Sequence, residues 1–405
     1  MIPILIRRRS FAAVLACLAF LLIGWSGLLV PSLTREIEGA FGETDVGLGL
    51  FYFLAAAAYA AGSVLGGIAT ERIGRRPVLV TAAALHAVGL VGLGLAPGWL
   101  AIMAAGVVRS LGAGGIDGGV NGLIVDLFGN SRGRALSLVH LFYAMGAVGA
   151  PFLLAFRTSL GLSWQLVVVA TGIATVPLGL LLAITDLVGG RRYTGTDPRA
   201  GQSSVLVVPL GVLAVAIGCY VAFSTGVTNW LVRFLGSAPG GTATLTLSLF
   251  WAGLMAGRLV SASIADRFDH VKLAVAAAAA TSAAVFAAVL APTLELSIVL
   301  FAFAGFAAGP VFPLIMAIGG ERFPDRSAAM SGILSASGIG GSLAYPPLMG
   351  VISVTAGLPI AMAGTAVCGA SAAVALVIVG RMPARPAGTE DVVAASSTLP
   401  AASEP

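Results

Sequence analysis

Charge is what this sequence has least of. Only 10% of its 405 residues are Asp, Glu, Lys or Arg and 58% are hydrophobic, against about 25% charged in an ordinary soluble domain. No water-soluble fold of this length hides so much apolar surface, so the soluble classes are excluded. Lysine is nearly missing: Lys272 is the single one and Leu273 follows it, so no Gly-Lys-Ser/Thr phosphate loop exists and ATP hydrolysis by this chain is excluded. The three histidines, His86, His140 and His270, stand too far apart for metal-ligand spacing, so no metal, cofactor or catalytic residue is expected. The three cysteines, Cys17, Cys219 and Cys368, each lie inside an apolar run and read as small packing residues. The net charge of +5 is spread over single and paired basic residues between apolar runs, so it carries no nucleic-acid reading.

What is present is long apolar runs. A hydrocarbon core about 30 Å thick needs about 20 apolar residues per helix. The runs and their breakers predict twelve helices, over 11–32, 45–69, 77–96, 99–126, 133–156, 163–186, 206–235, 243–265, 271–291, 296–318, 328–354 and 358–380. The expected architecture is all-α, with a six-helix bundle over 1–187, a polar linker over 188–204, a second six-helix bundle over 205–381 and a disordered tail over 382–405. With the N-terminus inside, 17 of the 22 Lys and Arg residues fall on its side of the membrane. Three (Arg35, Arg157, Arg233) fall on the other side and two (Arg109, Arg258) lie within helices. That asymmetry predicts cytoplasmic termini and linker in an inner-membrane, multi-pass protein.

The two bundles repeat at an offset of 195 residues, without a gap: Gly62 to Gly257, Arg72 to Arg267, Pro97 to Pro292, Gly114 to Gly309, Phe128 to Phe323 and Pro151 to Pro346. The acids keep register as well, Glu71 with Asp266 and Asp126 with Glu321. Parallel six-helix repeats are an architecture that places a substrate site between the halves near mid-membrane.

Between the second and third helices runs Gly67-Ile68-Ala69-Thr70-Glu71-Arg72-Ile73-Gly74-Arg75-Arg76. This resembles the signature of the major facilitator family, with Glu71 where Asp is usual, and Asp266-Arg267 sits in a degraded second copy. Asp126 is the expected partner for Arg72 or Arg75, and Glu321 for Arg267, as rim contacts made in one state of a transport cycle. The alternative is a set of ordinary positive-inside charges with no gating role. The fourth helix holds the buried charges, Arg109 and then Ile116-Asp117-Gly118-Gly119-Val120-Asn121. Charges at that depth face a partner or a water-filled cavity, and Asp117 and Asn121, four apart, share one helix face. This segment resembles the helix 4 motif of the fucose permease group, and the likeness continues through Thr228-Asn229-Trp230, Gly257-Arg258 and Gly309-Pro310-Val311-Phe312-Pro313.

The resemblance implies a secondary transporter working by alternating access. Its partners would be a small solute, protons and the lipid bilayer, and a monomer is expected. Asp117 is the candidate proton-coupling residue, with a permanent Asp117–Arg109 bridge as the structural alternative. Asn121, Asn229, Trp230 and His140 are further candidates for the cavity, set against roles as packed residues or interfacial anchors. Gly27 and Ser224 stand where relatives carry acids, so the coupling ion and the sugar specificity stay open. Uptake of a sugar or related polar metabolite is set against proton-driven efflux of hydrophobic compounds, and against a transport-inactive sensor.

Overall fold

In the computed structural model, residues 2–128, 131–185, 187, 207–323 and 327–382 are described. The linker expected at 188–204 lies outside them, as does the tail from 383 onward. The helices are α1 (Ile2–Gly27), α2 (Leu29–Ser32), α3 (Thr34–Phe41), α4 (Asp45–Ile73), α5 (Arg75–Gly94), α6 (Trp99–Phe128), α7 (Arg132–Ala155) and α8 (Trp164–Ile184). They continue with α9 (Val207–Phe234), α10 (Thr242–Ile264), α11 (His270–Val289), α12 (Leu294–Ala308), α13 (Val311–Arg322), α14 (Ser327–Ala356) and α15 (Leu358–Arg381). Among the described residues, twelve spans are long and apolar enough to cross a membrane, with α12 and α13 forming one of them. An even number of crossings puts the start of α1 and the end of α15 on the same side, called here the termini face.

Composition and punctuation account for the elements. Large apolar side chains such as Leu100, Val88 and Ile184 stay exposed, as suits helices whose outer surface meets lipid instead of water. Thr44, Ser163, Asp269 and Thr293 cap the starts of α4, α8, α11 and α12 through side-chain oxygens. Between α4 and α5 the chain turns at Gly74 with φ 89°, a conformation that strains any residue with a Cβ. That turn explains the glycine within the signature. At Gly309-Pro310 the tenth span breaks into α12 and α13, because proline contributes no backbone N–H to the helical ladder.

The repeat is physical. A Cβ at Gly62 would run into the Leu111 carbonyl, and one at Gly257 into the Phe306 carbonyl; 111 and 306 also differ by 195. Likewise Gly114 abuts the Tyr59 carbonyl and Gly309 the Leu254 carbonyl, again 195 apart. In each half, then, glycines let the fourth helix lie backbone to backbone against the second. The halves meet through α4 against α14 and α7 against α10. These two contacts are related to within one residue: Gly350 sits on the Asp45 carbonyl and Gly241 on the Ala155 carbonyl, with 350 and 155 differing by 195 and 241 and 45 by 196.

Candidate functional site

Contacts between the halves fix which side of the molecule is shut. On the face away from the termini, Arg233 Nε of α9 donates to Glu38 Oε1 at 2.8 Å and to Asp45 Oδ1 at 2.9 Å. The Ser353 hydroxyl of α14 donates to the same Asp45 carboxylate, and Arg35 reaches the Ala238 carbonyl at 3.3 Å. One layer deeper, the Tyr52 hydroxyl donates to the Asn229 carbonyl at 3.1 Å and its ring meets the edge of Trp230 at 6.0 Å. At mid-membrane Ser248 donates to the Val148 carbonyl at 2.8 Å, and Tyr143 packs on Trp251 with ring centroids 6.0 Å apart. Among the described residues, the hydrogen bonds, ion pairs and ring contacts joining the halves all lie between mid-membrane and this face. The halves are therefore held together on that side, the pattern expected if a cleft opens from mid-membrane toward the termini face.

Asn229 and Trp230 belong to the shut side. Trp230 is fully buried and its indole N–H is already bonded to the Pro346 carbonyl at 2.9 Å. Asn229 contributes its backbone carbonyl.

The glycines of α6 bring α4 and α5 up against it on both sides of Asp117, whose carboxylate accepts from Asn121 Nδ2 at 3.1 Å. Asn121 Oδ1 has no partner, and the Tyr59 hydroxyl interacts with Asp117 from α4. Arg109 lies eight residues earlier, about 12 Å along the axis, and turns elsewhere. Its Nη1 donates to the Ser26 carbonyl at 3.3 Å and its Nη2 to Ser110 Oγ at 3.0 Å. Arg109 and Asp117 form no ion pair among the described residues, so the bridge alternative has no counterpart in this state. The Arg109 carbonyl accepts from His86 Nδ1 at 3.0 Å, while His86 Nε2 lies 2.9 Å from Ser26 Oγ. That assigns His86 the Nδ1–H tautomer and ties α1, α5 and α6 together. His140 is exposed, edge-on to Phe20 at 5.1 Å, and within electrostatic reach of Arg258 in the other half.

At the termini face, Arg75 Nη2 donates to Asp126 Oδ2 at 2.8 Å, with Arg75 only 4% exposed. The second half repeats this with a substitution: Glu321 pairs with His270 at 2.5 Å, and not with Arg267, which is exposed. The offset of 195 explains the difference, because 270 corresponds to 75 and 321 to 126. Glu71, Arg72 and Arg76 are exposed, and a Cβ at Gly67 would meet nothing within 4 Å. The side chain of Asp266 lies outside the described residues.

The family model of the Major Facilitator Superfamily matches residues 12–238 and again 208–402. The chain belongs to the Major Facilitator Superfamily. Its activity is accordingly secondary active transport by alternating access across a membrane, with no enzymatic step. Within the superfamily it is 25% identical over 307 residues to an uncharacterized MFS-type transporter, YfkL of Bacillus subtilis, covering 73% of this chain and 76% of that one. Among solved structures, a D-xylose–proton symporter superposes with TM-score 0.75 at 17% identity, covering 93% of this chain and 98% of that one. An inward-facing, occupied bacterial homologue of the human lysosomal transporter Spinster gives 0.74 at 18%, covering 92% and 97%. A fucose transporter in its outward conformation gives 0.61 at 19%, covering 93% and 100%. The fucose permease group is thus not singled out, and the shared property is the superfamily fold. The helix 4 motif occupies little more than one helical turn and cannot select a group by itself.

The sequence did not assign a role to Arg258, Tyr143, Tyr220 or Trp251, nor to the Glu38–Asp45–Arg233 cluster. Arg258 carried a signal, as an arginine deep in an apolar run and away from both of its ends, like Arg109. The tyrosines and Trp251 carried none, since an aromatic residue in an apolar run reads as packing.

Proposed function

We propose that this chain is a proton-coupled carrier for uptake of a small polar solute such as a sugar or related metabolite. In this reading it lies in the cytoplasmic membrane as a monomer with both termini cytoplasmic, so the cleft opens inward. Six-helix bundles over 1–187 and 205–381 rock about the solute, and the linker permits the motion. The observation that carries the reading is the Asp117–Asn121 pair. It is a carboxylate on a glycine-lined stretch of helix, not neutralised by Arg109, with an acceptor on Asn121 still free. Such a group holds a proton or a donor on the solute in turn. Apolar cargo would leave these polar atoms unpaired, which weighs against efflux of hydrophobic compounds.

The rim charges are the other half of the mechanism. Arg75–Asp126 and His270–Glu321 brace each half internally at the open face. Glu71, Arg72, Arg76, Arg267 and Gly67 are then free to meet the opposite half when that face shuts. The test is stabilisation of the purified protein by sugars, polyols, organic acids and lipophilic drugs at acidic and neutral pH, since a ligand bound to the native state raises its melting temperature. A polar hit whose pH dependence disappears in Asp117→Asn is the expected result. Stabilisation by lipophilic drugs alone would reverse the direction of transport, and unchanged pH dependence would remove Asp117 from coupling.

A further inference from the structure

The half of the cleft formed by α9 and α10 presents hydrogen-bond donors without acceptors. Trp251 Nε1, Tyr220 Oη and Arg258 Nε are all buried and have no partner. The side chains are deeply placed as well, Tyr220 being 4% and Trp251 9% exposed. An indole N–H and a guanidinium only donate, and a phenol donates readily, so the three together ask for an acceptor. Native proteins rarely leave buried donors unsatisfied.

Arg258 and Tyr220 are neighbours, and Trp251 stands about 10.5 Å further along the same helix as Arg258. Trp251 and Arg258 are seven residues apart on α10, two turns along one face. Tyr220 of α9 lies beside Arg258, close enough for a side-chain contact with it, while Tyr220 Oη and Arg258 Nε form no well-directed hydrogen bond. From the other half, Tyr143 packs on Trp251 and feels the charges of Arg109, Arg258 and Asp117 together. Arg258 has no carboxylate or carbonyl partner among the described residues, and His140, which lies within its electrostatic reach from the other half, supplies no negative charge. With Asp117 ionised, the membrane-embedded charges facing Tyr143 sum to one net positive, from Arg109, Arg258 and Asp117. A neutral solute leaves that charge in the bilayer uncompensated, and one monoanion cancels it.

We propose that Arg258, Tyr220 and Trp251 form an anion subsite, and that the transported solute is a small organic acid whose carboxylate binds there. The proposal rests on the cleft being the transport site and narrows the polar solute to one that carries a negative charge. Arg258 supplies a fork that matches a carboxylate, while Tyr220 and Trp251 supply single donors. Asp117 and Asn121 take the hydroxyl end of the same molecule.

The experiment is a melting-temperature series on the full-length protein in detergent with matched pairs of probes: gluconate and sorbitol, glucuronate and glucose, benzoate and benzyl alcohol. At concentrations of about 10 mM, at least one acid stabilises the protein and its neutral partner does not. Arg258→Gln weakens that acid's apparent affinity on the order of tenfold or more, and Arg258→Lys recovers part of the loss. Tyr220→Phe, which removes one hydroxyl and keeps the ring, gives a smaller loss and carries the test if Arg258→Gln does not fold. The proposal is overturned if a neutral partner stabilises as well as its acid, if the acid effect survives Arg258→Gln and Tyr220→Phe, or if no acid stabilises the wild type. Asp117→Asn separates the two readings. Acid binding that is lost with Arg258 yet keeps its pH dependence without Asp117 removes the coupling role alone, whereas sugar binding that needs Asp117 removes the anion subsite alone.

Discussion

Arg75 and Arg258 carry the same charge in opposite surroundings. Arg75 is nearly buried and bonded to Asp126, so truncation leaves Asp126 without its partner. Arg75→Ala is expected to lower stability by about 1–3 kcal/mol, read as a fall in melting temperature, with Arg75→Lys in between. The corresponding change in the second half, His270→Ala, is expected to cost less, about 0–1 kcal/mol, because Glu321 is largely exposed. A reversed order of these two effects would show that the rim pairs do not act as local braces. At Gly62 the demand is steric. Any Cβ meets the Leu111 backbone, and Gly62→Val should destabilise by about 1–3 kcal/mol through overpacking. Gly67→Ala, one turn on and facing open space, should leave the melting temperature unchanged.

Among elements, the spans were legible because lipid imposes a single rule, a run of apolar residues long enough to cross. All twelve expected helices lie close to the observed ones, and the break at Gly309-Pro310 falls where proline forces it. The short helix α3 was missed, since its length and its Arg35, Glu36 and Glu38 take it out of the hydropathy pattern. A fainter signal existed in Leu33, Ile37 and Phe41, spaced four apart to pack one face. The candidate site was legible only as charges out of place. Asp117 with Asn121 could be paired by spacing, and Asp126 with Arg72 or Arg75, whereas Glu321 was expected on Arg267 and pairs with His270. Trp230 could not be told apart from a ligand-binding ring until the Pro346 carbonyl was found on its indole. What holds the shut side is likewise tertiary, joining Tyr52 of α4 to the Asn229 carbonyl of α9. Tyr52→Phe removes that bond together with the 3.2 Å hydroxyl contact to Thr34 Oγ1 inside its own half. Only the first joins the halves, so the balance should shift away from the shut state about fivefold, the worth of a net hydrogen bond of ~1 kcal/mol. Faster labelling of a cysteine at Asn229 in the Tyr52→Phe background would report it, and an unchanged rate would mean that the ring packing on Trp230 carries the contact.

For the whole molecule, the shut face should respond to acid. Burial between the halves pushes the Glu38 carboxyl up to about 7, Asp45 beside it pushes the same way, and Arg233 opposes both. When the halves part, Glu38 returns to water and to an ordinary carboxylate value of about 4.3. Closure at this face therefore takes up a proton. Its advantage is complete below the open-state value and is lost as pH rises through the closed-state value near 7. Spin labels at Gln165 and Glu295, both exposed on this face in opposite halves, would report the shut fraction in a background with Cys17, Cys219 and Cys368 replaced. The ratio of shut to open should rise as pH falls from about 8 to 5, by at most about tenfold per pH unit, as one proton allows. In Glu38→Gln the carboxyl is replaced by a permanently neutral group, so the ratio should be flat across that range. In Asp45→Asn the rise should move to lower pH, because the neighbour that helps hold the proton is gone. A slope that persists in Glu38→Gln would place the acid response elsewhere in the molecule. With the termini cytoplasmic, as proposed above, the expected result makes outside acidity close the outer side and open the cleft inward, the direction that proton-driven uptake requires.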